Sequence, residues 1–374
     1  MRVEIKEVNQ RQEARLFSQF GNMLYADNPY YVPDMESDIM NMVNHRHNDS
    51  EAETIPFLAF RGDKVAGRIL GIINHKANRK WNVKVVRFGF LDFIDDEEVS
   101  QALIAAVERW GKAHGMESIQ GPMGLTDFDK EGMLLEDFDK LGSMSTLYNA
   151  PYYPKHLEKM GFRKQVDWIQ IRVNVPDEVP ERIARVASIV EQRFKVHIHV
   201  MTTFEILTGW GKRVFQLLNE AYAPLFGFSA IEGKEMDSFI RTYLPIVDKS
   251  MVPVIVNEDN EIVGVAVTIG SLSRALQKTK GKLFPLGWWH LLKSLKLKNE
   301  EGIDMLLIGV RPDMQGIGIN SLFFNHLIPI YKKKHFKWAE TGPQLEDNHK
   351  ELSQWKDLNP EYIKRRRCYT KEIL

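Results

Sequence analysis

The chain repeats itself at an offset of about 200 residues, and this repeat limits its possible folds more than any other feature. Residues 55–60 and 65–73 are β-rich runs on either side of a polar turn, and residues 252–256 and 261–267 show the same pattern. Each pair of runs predicts a β-hairpin. We therefore interpret the chain as two copies of one fold.

The match between the two halves continues beyond the hairpins. Gly67 and Gly264 hold the same place in the second hairpin strand, and each half then has a strand, a helix, a strand, an asparagine-led helix and a final strand. In the first half the strand, helix and second strand are predicted at residues 85–92, 95–114 and 118–121, the asparagine-led helix begins at Asn149, and the final strand covers residues 165–173. In the second half the corresponding ranges are 305–310, 315–334 and 337–340, the asparagine-led helix begins at Asn348, and the final strand covers residues 362–373. The order predicts an α/β fold with two lobes, residues 1–175 and 176–374, each a mixed, mostly antiparallel sheet flanked by helices.

The amino-acid composition argues against several classes of function. Hydrophobic residues make up 44% of the 374, which is enough for two cores. Lys+Arg and Asp+Glu number 50 each, and this balance argues against a nucleic-acid partner. The single cysteine, Cys368, excludes a disulfide framework, and we predict no bound metal. No signal-peptide pattern or membrane-length apolar run is present, so we expect a cytoplasmic protein that is soluble or peripheral to the inner face of the membrane.

Residues 309–322 carry the strongest chemical signal. An apolar strand ends at Val310, a turn follows, and a helix is predicted to begin near Gln315, with Gly316 and Gly318 in its first turn. A helix N-terminus presents unsatisfied N–H groups and a positive dipole end, and glycine leaves that backbone uncovered. The pattern therefore predicts a phosphate-binding site.

The matching helix start in the first half has the opposite charge. It reads Asp95, Asp96, Glu97 and Glu98, without glycine. These carboxylates favour a helix N-terminus but repel a pyrophosphate. We therefore expect any diphosphate ligand to bind only the C-terminal lobe.

The segment 305–322 resembles motif A of the GNAT superfamily, whose signature is Gln/Arg-x-x-Gly-x-Gly/Ala. Here it runs from Gln315 to Asn320, so the last position is Asn320 instead of Gly or Ala. The helices led by Asn348 and Asn149 resemble the following GNAT motif. A narrower resemblance, to tandem-lobed bacterial GNAT proteins that include ceramide synthases acylating a sphingoid-base amine, lies in residues 121–123, 132–135, 138–139, 151–153 and 345–349.

This resemblance implies coenzyme A, as acetyl-CoA or a longer acyl-CoA, for the co-substrate. Its pyrophosphate would meet the turn, its pantetheine arm would lie along strand residues 306–308, and Asn348 would anchor the far end. The residues carried over as cofactor-binding are Leu307, Ile308, Val310, Gln315, Gly316, Ile317, Gly318, Ile319, Asn320 and Asn348.

The implied reaction is attack of a neutral amine on the thioester, which is helped by a general base. Candidates for the base are Glu340, Glu346 and Asp347. Many family members use a tyrosine to protonate the thiolate, but Trp355 holds that position here. Neither Tyr362 nor Tyr369 is supported as a substitute by its position in the sequence, and a thiolate can leave without an acid.

We expect the first lobe to shape the site of the amine acceptor. The acidic residues Asp127, Asp129 and Glu131 would attract a cationic amine, and Tyr148, Asn149, Tyr152 and Tyr153 would line the rest. For each of these residues a solvated loop or a packed aromatic corner is the alternative. Residues 283–298 mix tryptophan, leucine and lysine, which is typical of an interfacial helix that touches a membrane or covers an acyl chain, or else of a helix packed on the sheet.

Three functions stay open at this point. The first is an acyl-CoA-dependent N-acyltransferase whose acceptor is a primary amine, of a lipid or sphingoid base. The second is an acetyltransferase for a small soluble amine, and the third is a non-catalytic protein that binds acyl-CoA. Sequence does not decide between a monomer and a homodimer.

Overall fold

The computed structural model describes residues 2–45, 51–126, 128–243, 247–282, 287–297 and 300–373. Through residue 174 the elements are β1 Val3–Glu7, α1 Arg11–Leu24, α2 Glu36–His45, β2 Ala52–Arg61, β3 Lys64–Asn74, α3 His75–Trp81, β4 Val85–Phe93, α4 Glu97–Ala113, β5 Ser118–Gly121, β6 Met133–Leu134, α5 Tyr152–Lys159 and β7 Arg163–Asn174.

The remaining elements are α6 Glu181–Phe194, β8 His197–His199, α7 Thr203–Glu205, α8 Gly211–Tyr222, α9 Gly233–Tyr243, β9 Val254–Val256, β10 Ile262–Gly270, α10 Ser273–Thr279, α11 Gly287–Leu297, β11 Gly302–Val310, α12 Asn320–Lys333, β12 Trp338–Thr341, β13 Gln344–Leu345, α13 His349–Ser353 and β14 Glu361–Glu372. A π-helical turn, Ile206–Trp210, joins α7 to α8. Short 3-10 helices cover Lys249–Met251, Pro312–Met314 and Gln354–Leu358.

The chain forms two compact units. Unit 1 comprises Met1–Ile169, Leu272–Leu292 and Lys364–Leu374, and unit 2 comprises Gln170–Ser271 and Lys293–Ile363. Each unit has its own buried apolar core. The chain passes from unit 1 to unit 2 close to the predicted boundary at residue 176, while the exact domain limits stay a prediction.

The sheet of unit 1 has the strand order β1-β2-β3-β4-β5-β14. Its pairs are antiparallel except β4 with β5, which run parallel over Val85–Arg87. Helix α4 packs against β3, where a Cβ on Gly67 would lie 2.7 Å from Leu103. Glycine is required there because the helix approaches the strand so closely.

The sheet of unit 2 repeats this arrangement in the order β7-β12-β11-β10-β9-β8. Again only one pair, β11 with β12, is parallel. A Cβ on Gly264 would lie 3.1 Å from Phe323 of α12, so the two equivalent glycines serve equivalent helix packing. The predicted repeat and the predicted fold class are therefore confirmed.

The final strand of each half contributes residues to the unit formed mainly by the other half. Residues Tyr369–Glu372 of β14 pair with β5 in unit 1, and residues Arg172–Asn174 of β7 pair with β12 in unit 2. Both strands are antiparallel neighbours of a short parallel strand, so either sequence suits either place. Local patterning carries no information about which partner is chosen.

Two helix starts differ from the prediction. Helix α12 begins at Asn320 and not near Gln315, because Gly316 and Gly318 adopt positive φ and hold the chain in a turn. Helix α5 begins at Tyr152, and Asn149 does not cap it. The Asn149 amide instead accepts from Leu134 N–H at 2.6 Å and donates to Leu134 C=O at 3.1 Å.

Helix α11 confirms helical structure in the Trp-Leu-Lys segment, although residues 283–286 and 298 lie outside the described part. Among the described helices, none combines the length and the apolar character needed to cross a bilayer.

Candidate functional site

Strand β11 separates from its parallel neighbour halfway along its length. The β11–β12 ladder runs from Gly302 opposite Trp338 to Met305 opposite Thr341, and Gly342 N–H donates to Met305 C=O at 2.9 Å. A β-bulge follows at Leu306, where the register with β10 shifts. Beyond this bulge the described chain places no strand beside β11 on the β12 side, so a wedge-shaped gap opens.

The open edge of β11 is contacted by a phenol. Ile308 N–H donates to the Tyr222 hydroxyl at 3.2 Å, and that hydroxyl donates to Ile308 C=O at 3.1 Å. Tyr222 is the last residue of α8, a helix that packs against β10 and β11. Sequence analysis missed Tyr222 because the two residues lie 86 positions apart and no local pattern connects them.

The turn after β11 exposes backbone donors. It runs from Arg311 through the 3-10 helix to Ile319, whereas only residues 94–96 separate β4 from α4 in unit 1. Gly316 has φ 78° and Gly318 has φ 85°, values that favour glycine. Within the described chain, the N–H groups of Gly316, Ile317, Gly318 and Ile319 donate to no other group.

The space above this turn differs between its two glycines. A Cβ on Gly316 would meet no atom within 4 Å, while one on Gly318 would lie 2.8 Å from Val186 of α6. The face at Gly316 is therefore open, and the face at Gly318 packs against the protein. An anion that approaches from the Gly316 side meets uncovered N–H groups next to the start of α12.

The charged side chains of the turn are already paired. Arg311 binds Asp313 at 2.7 Å and Glu261 at 3.2 Å. Gln315 donates from Nε2 to Val310 C=O at 3.0 Å and closes the turn from one end. The backbone therefore supplies the free donors for an anion, and these side chains fix the shape of the turn.

Asn320 connects the turn to helix α13. Its Nδ2 donates to Gln354 Oε1 at 2.7 Å, and Gln354 Nε2 donates to Glu351 Oε1 at 2.5 Å. Gln344 also donates to Glu351, at 3.4 Å. Burial raises the pKa of Glu351 to about 7. Asn348 accepts from Glu351 N–H at 3.3 Å, which confirms that it caps α13.

Of the predicted bases, Glu340 lies nearest the gap. It sits on β12 opposite Asp304 of β11, one residue before the parallel pairing ends. It is 3% exposed and accepts from Arg172 Nε at 2.9 Å. Glu346 and Asp347 lie in the turn before α13, and Asp347 is exposed.

Trp355, which stands where the GNAT resemblance leads one to expect a tyrosine, is part of the core. Trp355 is 2% exposed, packs edge-to-face on Phe324 at 5.3 Å and donates from its indole to Gln344 Oε1 at 3.1 Å. Tyr369 is fully buried in unit 1 and donates to Glu158 at 2.9 Å. Tyr362 is 56% exposed.

The helix start in unit 1 is closed by its own carboxylates, as predicted. Asp96 caps α4 by accepting from Glu98 N–H at 3.0 Å and Val99 N–H at 3.4 Å. Arg61 binds the second oxygen of Asp96 at 3.0 Å through Nε, and this contact helps lower the Asp96 pKa. The donors that are open in unit 2 are thus occupied in unit 1.

Unit 1 also has a small pocket, with a free volume of only about 20 Å³, beyond the parallel β4–β5 pairing. Arg68 lies in it against the rings of Phe17 and Phe90, binds Asp92 at 2.7 Å and lies 3.6 Å from Asp34. Lys130 binds Asp34 at 2.6 Å. The place that corresponds to the gap of unit 2 is therefore filled by two paired cations and two paired carboxylates.

Several of the described residues predicted to line the acceptor site make hydrogen bonds within unit 1, and two of them, Tyr148 and Asn149, line the pocket that holds Arg68. Asp127 lies outside the described residues, Asp129 accepts from Thr126 N–H at 2.9 Å, and Glu131 is partly buried. Tyr153 is fully buried and bonds to the Tyr25 hydroxyl at 2.7 Å.

The other two tyrosines of that set are also bonded within unit 1. Tyr148 accepts from Asn28 at 2.7 Å, and Tyr152 donates to Phe93 C=O at 2.5 Å. Like Tyr153, both therefore take part in packing and hydrogen bonding near β4. Among the described residues, no group of three His, Cys, Asp or Glu side chains is arranged to hold a metal ion.

Comparison of the structure with solved proteins defines the class of fold. A tandem GNAT protein from the clavulanic acid biosynthesis pathway superposes with a TM-score of 0.60 at 12% identity, covering 100% of this chain and 99% of that one. A GCN5-related N-acetyltransferase from Sphaerobacter thermophilus gives 0.51 at 12% identity, covering 99% and 96%. The chain therefore has the tandem GNAT fold.

Sequence comparison adds particular relatives. Protein YghO of Escherichia coli strain K12 is 24% identical over 380 residues, covering 97% of this chain and 94% of YghO. A bacterial ceramide synthase of Caulobacter vibrioides is 24% identical over 317 residues, covering 81% of this chain and 79% of the synthase. No protein-family model matches the chain.

Proposed function

We propose that the protein is an acyl-CoA-dependent N-acyltransferase whose donor site lies in unit 2. One observation carries the proposal: a turn with four uncovered N–H groups directly follows a strand whose edge is open. The turn fits the pyrophosphate, and the open edge of β11 fits the amide-containing pantetheine arm. The tandem GNAT fold supports acyl transfer in general.

Each predicted donor-site residue receives a role in this proposal, and that of Val310 is to accept the Gln315 side chain that closes the turn. Backbone N–H groups from Gly316 to Ile319 bind the pyrophosphate, and Gln315 and Asn320 hold the turn in shape. The partly exposed edge at Leu307 and Ile308 bonds the arm. Asn348 acts by capping α13, which carries the network that supports Asn320.

The amine attacks the thioester carbonyl in the gap, with a carboxylate to remove its proton. Glu340 lies beside the gap but is held by Arg172. Glu351 has a pKa of about 7, which suits a base at neutral pH, although its contacts are to Asn320's partner Gln354 and to Gln344. We retain Glu340 as the base and assign Glu351 to support of the turn.

We propose a long-chain acyl donor and a lipid amine as acceptor. The Caulobacter relative is named a ceramide synthase and aligns with 81% of the chain. Helix α11 presents Trp289, 53% exposed, beside the exposed Lys293, a pairing typical of a segment at a lipid surface. The competing function is acetyl transfer to a small soluble amine.

Calorimetric titration with coenzyme A, acetyl-CoA and palmitoyl-CoA, below micelle concentrations, tests the proposal. We expect one site per chain and the tightest binding for palmitoyl-CoA. Equal binding of all three, with turnover of a soluble amine, would favour the acetyltransferase. The absence of binding by any of them would contradict an acyl-CoA-dependent enzyme.

A matched pair of variants places the site. Gly316→Asn and Gly316→Asp have the same shape, both residue types tolerate positive φ, and a Cβ there meets nothing within 4 Å. Only the charge differs. We expect Gly316→Asp to bind coenzyme A at least about tenfold more weakly than Gly316→Asn. Asp96→Ala in unit 1 should leave the affinity unchanged, and an equal loss in both Gly316 variants would contradict a pyrophosphate at this turn.

A further inference from the structure

Tyr222 is the side chain that meets the open edge of β11 at Ile308. Its hydroxyl accepts from the N–H at 3.2 Å and donates to the C=O at 3.1 Å. Across the strand, Ile308 faces Ala266, whose own N–H donates to Pro253 C=O on the far side of β10. The Ile308 backbone groups therefore point into the gap, and Tyr222 satisfies both of them.

We propose that Tyr222 is a displaceable stand-in for the acyl-CoA arm, so that donor binding exchanges one set of hydrogen bonds at Ile308 for another. The inference rests on the proposed function, because it requires the arm to lie along β11. An amide of the arm carries one donor and one acceptor, the same pair that the hydroxyl presents. The Tyr222 hydroxyl and an amide of the arm cannot both bond to Ile308 at the same time.

The exchange needs rotation of one side chain and no movement of helix α8. Leu218 of α8 lies so close to β11 that a Cβ on Gly309 would be 2.9 Å from it, which fixes the helix on the sheet. Tyr222 ends that helix, is only partly buried, and has its ring edge-to-face with Phe228 at 6.3 Å. Rotation of the Tyr222 side chain would thus move its hydroxyl away from Ile308 while the backbone of α8 stays in place.

If the Tyr222 hydroxyl competes with the arm, its removal should strengthen coenzyme A binding. If the hydroxyl instead contacts the bound ligand, its removal should weaken binding. Removing the hydroxyl leaves the Ile308 groups to water, and a net intramolecular hydrogen bond is worth about 0.5–1.5 kcal/mol over water. Tyr222→Phe should therefore bind coenzyme A about two- to tenfold more tightly than the wild type. A hydroxyl that bonds the bound ligand would give weaker binding instead.

The test compares two ligands and two variants by calorimetry. Coenzyme A carries the arm, while 3′-phosphoadenosine 5′-diphosphate has the pyrophosphate without it. We expect Tyr222→Phe to tighten binding of the first and leave the second unchanged. Tyr331→Phe is the control, because its hydroxyl bonds Thr268 at 2.9 Å, away from the open edge of β11, and it should change neither affinity.

Hydrogen exchange supplies a second readout, on peptides that contain Ile308. Without ligand, the amide should exchange faster in Tyr222→Phe than in the wild type, and saturating coenzyme A should restore its protection. Unchanged or weaker coenzyme A binding in Tyr222→Phe, or an equal change for both ligands, would overturn this inference and leave the donor site standing. Failure of the wild type to bind either ligand would overturn the proposed function together with it.

Discussion

At the scale of single residues, the helix starts that follow β4 and β11 differ in whether a carboxylate contacts their backbone N–H groups. Asp96 lies within hydrogen-bond distance of two N–H groups of α4, so the dipole of that helix is already matched by a carboxylate. Among the described residues, no carboxylate accepts from the N–H groups of Gly316, Ile317, Gly318 or Ile319 in the turn before α12, and Asp313 is held by Arg311. The same fold thus presents one closed and one open site for an anion.

Glu351 makes stability depend on pH. Its pKa is about 7 in the folded protein and about 4.5 in the unfolded chain, so the folded state binds the proton more tightly. This contribution is fully present below pH 4.5 and is lost as the pH rises to 7, with a total of up to about 3 kcal/mol.

Glu351→Gln should remove that dependence, because the amide oxygen can still accept from Gln354 and Gln344. We expect the free energy of unfolding of the variant to exceed that of the wild type by less than about 1 kcal/mol at pH 5 and by about 1–3 kcal/mol at pH 8. Urea denaturation at pH 5, 6.5 and 8 measures it, with the exposed Glu178→Gln as control for the lost charge. Parallel curves for wild type and Glu351→Gln would show that Glu351 does not titrate as argued.

Some of the residue-scale chemistry was predictable from sequence and some was not. Gly316 and Gly318 are visible because glycine at a strand-to-helix junction has a local meaning. Tyr222 and Glu351 are not, because their roles come from burial and from partners brought together by the fold. For Tyr152 and Tyr153 the local sequence is the same whether the pair lines a pocket or packs against β4, so their contacts with Phe93 could not be predicted.

At the scale of elements, the gap depends on where β12 stops following β11. The bulge at Leu306 and the bond from Gly342 to Met305 end the parallel ladder after four residue pairs. Hairpins and strands were predictable because their periodicity is local. The sequence predicts too early a start for α12, because a glycine-rich turn and the first turn of a helix have similar composition.

A row of charged residues crosses the centre of this sheet. Asp304 on β11, Glu340 on β12 and Arg172 on β7 are register neighbours, and the Arg172 guanidinium also lies over Trp338 at 4.5 Å. Glu340 is 3% exposed and accepts from Arg172 at 2.9 Å, so the arginine is a direct partner of a buried carboxyl group. Arg172→Met should lower the free energy of unfolding by about 2–4 kcal/mol, which urea denaturation measures.

The double variant Arg172→Met with Glu340→Gln separates charge from packing. If the cost comes from an uncompensated buried carboxylate, the double variant should be more stable than Arg172→Met alone. A double variant that is less stable than either single variant would show that packing of Arg172 on Trp338 dominates instead.

At the scale of the whole molecule, the C-terminal residues of the sequence belong to the same unit as its N-terminal residues. The last residues, Lys364–Leu374, belong to unit 1, where Tyr369 pairs with Gly121 and Arg366 with Leu134. The two lobes could be predicted from the repeat. This exchange of final strands could not, because pairing between residues more than 200 positions apart leaves no local trace.

A consequence is that unit 1 cannot be completed until residues 364–374 have been synthesised. Deletion of residues 364–374 removes the antiparallel partner of β5 and the buried side chains of Arg366, Cys368 and Tyr369. We expect residues of unit 1 to become sensitive to limited proteolysis, mapped by mass spectrometry, while loss of residues 373–374 alone has little effect. A synthetic peptide of residues 361–374 should restore protection, because it supplies the same strand. An unchanged cleavage pattern in the deletion variant would mean that unit 1 folds without β14, so that its core and the first five strands of its sheet suffice.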